Sequence, residues 1–259
     1  MNMNTNIKTI TGGIITICIV GITVYLSVKT NCEECKTEKD TIATQPAPTS
    51  INRVHNLIIL DESWSMSGLE AVSVSGVNET INTIKEAYRN NSEQEQFLTM
   101  VTFSFDNGLR IVHHYDYENI KDIKYMEANR FQPSGMTPLW DAIGCMCAKI
   151  EEEGRSEDLI LVTIITDGLE NASTRYDRKR IRQLINRLDK KGWVFTYIGA
   201  NQDAASIADS MGISNAMEYD SDEIGTKAMW EKENNSRKSF YERTQTTKSK
   251  SELKDKYFE

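Results

Sequence analysis

The stretch over 159–166, L-I-L-V-T-I-I-T, is apolar or β-branched at every position, with no alternation between faces. A strand with one wet face alternates apolar and polar residues, whereas a strand buried on both faces does not. Such a strand requires a sheet covered on both sides, and helices provide that cover. Similar runs occur at Leu57-Ile58-Ile59-Leu60, over 97–105 and over 193–199. Between them, apolar residues recur at helical spacing: Val77, Ile81, Ile84 and Tyr88, then Leu139, Ile143, Cys147 and Ile150, then Ile181, Leu184, Ile185 and Leu188. A short helix ending at Gly212, a brief strand near 216–219 and a helix over 222–241 complete the pattern. Alternating strands and helices connect by right-handed crossovers. The expected fold is therefore α/β: a Rossmann-like, doubly wound, mostly parallel sheet with helices on both faces. Asp106-Asn107-Gly108 is a hairpin signal, so the residues over 109–115 should return as one antiparallel edge strand.

Other segments flank this body, which spans 53–241 including its last helix. After an N-terminal tail over 1–8, residues 9–28 carry no charged side chain and are rich in Ile and Val. As a helix this stretch would reach about 30 Å, one hydrocarbon thickness. It reads as an N-terminal transmembrane helix, a single-pass membrane anchor, with a signal segment as the alternative. Lys29, Lys36 and Lys39 after the segment favour a domain held inside, but the short leading tail fits the common signal-anchor arrangement, so the domain is expected to be extracytoplasmic. Residues 29–52 form a linker containing Cys32 and Cys35. No second Cys or His pair stands at zinc-site spacing, since Cys145 and Cys147 would point apart on a helix. Five cysteines are also too few for a disulfide scaffold. The Lys/Ser/Thr-rich end over 242–259 is expected to be a disordered tail. With 38 acidic against 30 basic side chains and a net charge of −8, the chain lacks the basic excess of a nucleic-acid binder.

In an open parallel sheet, ligands bind beyond the carboxyl ends of the strands. Three loops there carry oxygen donors. Asp61, Ser63 and Ser65 follow the first body strand, and in an extended loop residues two apart project to one side. Thr166, Asp167 and Gly168 follow the 159–166 strand. Thr137 stands at a helix start, with Pro138 suited to the first helical position. All these donors are hard oxygens, which favours Mg²⁺, with Mn²⁺ or Ca²⁺ as alternatives, over zinc or copper.

Asp61-x-Ser63-x-Ser65, Thr137 within G-x-T-P-L, and Thr166-Asp167-Gly168 together resemble the metal-ion-dependent adhesion site of von Willebrand factor A domains, over about 53–220. The resemblance implies that Ser63, Ser65 and Thr137 hold the metal directly or nearly so, that Asp61 and Asp167 act largely through water, and that an open position takes an Asp or Glu carboxylate from a partner protein. Two residues depart from the pattern, Trp64 and Met136 standing where the family often has glycine. Either could form an apolar, partner-binding rim, or Trp64 could pack on Met66 or Met136. Gly199 to Ala204, G-A-N-Q-D-A, resembles a bacterial branch of such domains, and Asn201 or Asp203 there reads as a helix cap rather than a ligand.

The function this implies is non-enzymatic: a membrane-anchored domain that binds protein partners through a divalent metal. A metal-dependent phosphoryl-transfer enzyme on a similar sheet is the first alternative. It would use Asp61 as nucleophile and usually a second Asp where Ser63 stands, and no Walker A, G-x-G-x-x-G or G-x-S-x-G motif appears. A metal-free scaffold with a vestigial site is the other.

Overall fold

The computed structural model describes residues 51–247 and 249–259 in full and the backbone of 14–19 and 22–27. The chain divides into two compact units, over 1–46 and 47–259. In the first, strands β1 (Ile14–Ile19) and β2 (Ile22–Ser27) pair antiparallel. This differs from the helix expected over 9–28. Both strands are rich in Ile, Thr and Val, whose branched side chains favour extended backbone. The rest of 9–28, the tail over 1–8 and all of the linker but its last two residues, with Cys32 and Cys35, lie outside the described residues. No helix among the described residues is long and apolar enough to cross a membrane.

The second unit is an α/β domain. Its strands are β3 (Arg53–Asp61), β4 (Glu95–Phe105), β5 (Leu109–Asn119), β6 (Leu159–Thr166), β7 (Val194–Ala200) and β8 (Asn215–Tyr219). They form one sheet in the order β5-β4-β3-β6-β7-β8. Every pair is parallel except β4 with β5. That pair is the expected hairpin, closed over Asp106, Asn107 and Gly108, with Asn107 at φ 57°. β6 is buried along its whole length, as its unbroken apolar run requires.

Helices α1 (Glu70–Asn90), α2 (Leu139–Glu153), α3 (Arg178–Lys190), α4 (Ala204–Met211) and α5 (Glu223–Thr246) cover both faces. Ile58 and Leu60 of β3 join a core with Val77 and Ile81 of α1 and Trp230 and Phe240 of α5. Leu57 and Ile59 point the other way, into a core with Ile143 of α2, Ile181 of α3 and Ala208 of α4. Period-two side-chain alternation in one central strand therefore feeds both cores. Asp177, Asp203 and Asp222 accept backbone N–H bonds at the starts of α3, α4 and α5. In the G-A-N-Q-D-A stretch, Asp203 is thus a helix cap.

The end of the chain is not a disordered tail. Leu253 and Tyr257 are fully buried, and the Tyr257 hydroxyl donates to Glu233 of α5 at 3.0 Å. Asn215 of β8 donates to the Lys254 carbonyl at 2.6 Å. Two large apolar anchors in an otherwise charged segment suffice to dock it, and the surrounding Lys and Ser residues hide them from a compositional reading. Beneath this segment, Arg237 of α5 is fully buried and pairs with Glu233 at 2.7 Å. It also donates to Asn56 of β3 and Thr163 of β6, both at 2.8 Å.

Candidate metal centre

The chain leaves β3 toward β4 on one side of the sheet and leaves β6 toward β7 on the other. β3 and β6 are neighbours, so a crevice opens at their carboxyl ends. Asp61 ends β3 and Asp167 follows β6, on either side of that crevice. Asp61 is fully buried. Its Oδ1 accepts the Ser63 N–H at 2.8 Å and its Oδ2 accepts the Thr166 hydroxyl at 2.5 Å. Ser63 Oγ lies 3.1 Å from Ser65 Oγ, and Ser65 donates to Asp167 Oδ1 at 2.6 Å. The other Asp167 oxygen accepts from Ser221, just before α5, at 3.3 Å.

Thr137 is joined to this cluster through space. A Cβ built on Gly168 would lie 2.9 Å from Thr137 Oγ1, 3.6 Å from Ser65 Oγ and 3.8 Å from Asp61 Oδ2. Three oxygens from two separate segments, Asp61 and Ser65 at and just after the end of β3 and Thr137 before α2, therefore flank one point, and Gly168 of a third loop leaves that point open. Burial pushes the Asp61 carboxyl up to about 7, against the pull of its bonds from Thr166 and Ser63. Burial also raises the Asp167 carboxyl, against its bonds from Ser65 and Ser221. Neither carboxylate forms an ion pair among the described residues, so a cation would relieve both. No group of three or more His, Cys, Asp or Glu side chains stands at metal-binding distance among the described residues. A cation here would meet hydroxyls and carboxylates, a donor set that fits a hard dication.

The loops are held from behind by residues that motif reading does not single out. Glu62, fully buried, accepts from the Gln132 N–H at 2.6 Å and from Thr102 and Arg110, each at 2.9 Å. It ties the loop before Thr137 to β4 and β5. Gly135 adopts φ 71°, and a Cβ there would stand 2.2 Å from the Phe105 carbonyl oxygen, so only glycine lets this loop reach β4. Asn171 Oδ1 accepts the Thr137 N–H at 2.9 Å, and its own N–H returns to the Thr137 carbonyl at 3.1 Å. Glu170 accepts the Trp140 N–H of α2, while Asp141 of α2 accepts the N–H groups of Thr174, Arg175 and Tyr176. This reciprocal capping locks the start of α2 to the loop after Asp167.

No protein-family model matches the sequence, and no curated protein is detectably similar. Solved structures are similar in fold. The pilus adhesin SpaC from Lactobacillus rhamnosus GG aligns with a TM-score of 0.55 and 13% identity, over 73% of this chain and 31% of that one. The SpRpn10 VWA domain aligns with a TM-score of 0.50 and 13% identity, over 68% of this chain and 93% of that one. The domain has the von Willebrand factor A fold. It spans nearly all of the SpRpn10 domain but about a third of the adhesin.

Within this fold, Asp61, Ser63, Ser65, Thr137 and Asp167 all gather at one end of the sheet. Trp64 and Met136 flank them, 70% and 47% exposed, so Trp64 is not packed away. Sequence reasoning missed Glu62, Asn171 and Ser221. Glu62 carried a signal: it stands between Asp61 and Ser63, so in an extended loop it faces the opposite way, toward the protein.

Proposed function

We propose that this A domain is a non-enzymatic protein-binding module that holds a divalent cation, Mg²⁺ foremost, and receives through it an Asp or Glu carboxylate of a partner protein. The observation that supports this reading most is the convergence of Thr137, Ser65 and Asp61 oxygens within 3.8 Å of one open point. Ser63, Ser65 and Thr137 would supply neutral donors, and Asp61 and Asp167 the negative charge. Bound there, the cation would supply a Lewis-acidic position, and the hydroxyl donors keep it electron-poor enough to attract a further carboxylate. The chain's own part is orientation. Thr166 and the Ser63 N–H fix Asp61, Ser221 and Ser65 fix Asp167, and Asn171 fixes Thr137. Asp61 is covered and engaged at both oxygens, an arrangement that suits a held ligand rather than a nucleophile.

A further part of the proposal is attachment to a membrane, which the uncharged length of 9–28 supports, with the domain on its extracytoplasmic side. Protease protection of the full-length chain in intact cells tests it, and digestion only after lysis would refute that side. Titration of the full-length chain with Mn²⁺, followed by calorimetry, tests the metal reading. Saturable binding is expected in the wild type and its loss in Asp167→Ala. Equal heats from the two proteins would refute it.

A further inference from the structure

Five large apolar side chains are conspicuously exposed among the described residues: Trp64, Tyr125, Met136, Leu169 and Ile224. Four of them lie within three residues of a side chain of the metal centre. Trp64 lies between Ser63 and Ser65, Met136 precedes Thr137, Leu169 is two residues beyond Asp167, and Ile224 is three beyond Ser221, whose hydroxyl meets Asp167. Leu169 is 63% exposed and Ile224 82%. Exposed apolar groups scattered singly mean little, whereas a cluster around a polar centre marks an interaction surface.

Leu169 also walls a cavity of about 300 Å³, with Leu139, Trp140 and Ile207 on its apolar side and Glu170, Arg178 and Gln202 among its polar lining. Leu139 is two residues past Thr137, and Tyr197 of β7, beside β6, contributes to the lining. The cavity therefore opens at the same end of the sheet as the oxygen cluster.

We propose that the partner is a protein segment carrying one Asp or Glu with a bulky apolar side chain within a residue or two of it. The acid would meet the cation, and the apolar neighbour would pack on Trp64 and Leu169 and enter the cavity. This deepens the function proposed above and rests on it. Charge favours this occupant over the other surface that such a crown could enter, an anionic membrane. The chain carries a net charge of −8, which repels an acidic bilayer but tolerates a single acid in an apolar setting. Buried apolar anchors ringed by polar contacts are where interfaces concentrate their affinity.

The test uses the full-length chain with Mn²⁺ and three fluorescein-labelled peptides, read by anisotropy. One carries Asp between Leu and Trp, one carries Asp between two serines, and one has Asn in place of Asp between Leu and Trp. The Leu/Trp-flanked acid should bind at least about tenfold tighter than the serine-flanked acid, and the Asn peptide should bind at least as much more weakly than its Asp counterpart. In Leu169→Ser and Trp64→Ser the advantage of the flanked acid should shrink several-fold. Both side chains are more than half exposed, so the fold tolerates the changes, and a melting curve checks it. Equal affinity for the two acid peptides, or an advantage that survives both variants, overturns the apolar anchor and leaves the carboxylate reading standing. Failure of every acid peptide with Mn²⁺ present overturns both. Sedimentation with phosphatidylserine vesicles that is abolished in Trp64→Ser would assign the crown to a membrane and overturn the protein partner.

Discussion

Gly168→Ala is the most incisive perturbation of the centre, because it adds one methyl group at the point the oxygens surround. The new carbon would stand 2.9 Å from Thr137 Oγ1, 3.6 Å from Ser65 Oγ and 3.8 Å from Asp61 Oδ2. Contact at about 3.5 Å is comfortable for such atoms, so Thr137 must retreat by several tenths of an ångström. The two serine and aspartate contacts are already near their optimum. Forcing Thr137 off its preferred rotamer costs roughly 0.5–1.5 kcal/mol, so the metal-free fold should lose little. Misplacing a donor, however, typically lowers metal affinity about 10–100-fold. At a metal concentration near 100 times the wild-type dissociation constant, linkage stabilises the wild type by about 2.7 kcal/mol. The variant would retain about 1.4 kcal/mol after a tenfold loss of affinity and about 0.4 kcal/mol after a hundredfold loss. For a domain of this size each kcal/mol moves Tm by about 2–4 °C. Scanning calorimetry in Mn²⁺ and in excess chelator should therefore show a rise of roughly 5–10 °C in the wild type and half of that or less in the variant. A Gly168→Ala protein with the full wild-type rise would refute the argument that these oxygens share one occupant.

Three further outcomes follow from the scaffold. Arg237→Met leaves Glu233 as an uncompensated buried charge and should cost about 3–5 kcal/mol in urea unfolding, while adding Glu233→Leu to it should recover much of the loss. Ending the chain after Ser249 removes Leu253 and Tyr257 from the core and should cost about 3 kcal/mol or more by the same assay. Burial holds His55 at about 4, below its ordinary 6.5, so the unfolded chain binds the extra proton between these values. Its stabilisation is complete above about pH 6.5 and is lost as pH falls toward 4. The loss is on the order of 3 kcal/mol, and it should be absent from the difference in urea midpoint between pH 7 and pH 4.5 in His55→Gln.

The sheet was legible because its buried centre and its edge hairpin each leave a strong mark. β6 has no polar face to disguise it, and Asp106-Asn107-Gly108 announces the antiparallel return of β5. The oxygen donors were legible because each adjoins a recognisable element, the end of a strand or the start of α2, and the order of strands brings them together. The packed end over 249–259 was not legible. Only Leu253, Tyr257 and Phe258 interrupt its polar composition, and their partners on α5 and β8 are remote in sequence. The strands over 14–19 and 22–27 were missed for another reason: a run rich in Ile and Val satisfies the hydropathy of a spanning helix and the propensity of a strand alike. Glu62, Asn171 and Ser221 escaped because their work is to hold other donors, and that depends on contacts formed only by folding. Thr102, Arg110 and Gln132, which Glu62 joins, lie 40 or more residues from it.

The order β5-β4-β3-β6-β7-β8 has a kinetic consequence. β3 and β6 must find each other across about a hundred intervening residues before Asp61 and Asp167 are neighbours. Until that closure is complete, the nascent chain offers a dication only isolated hydroxyls and single carboxylates. A bound ion should therefore lengthen the lifetime of the folded domain, slowing escape from it, while leaving the rate of refolding almost untouched.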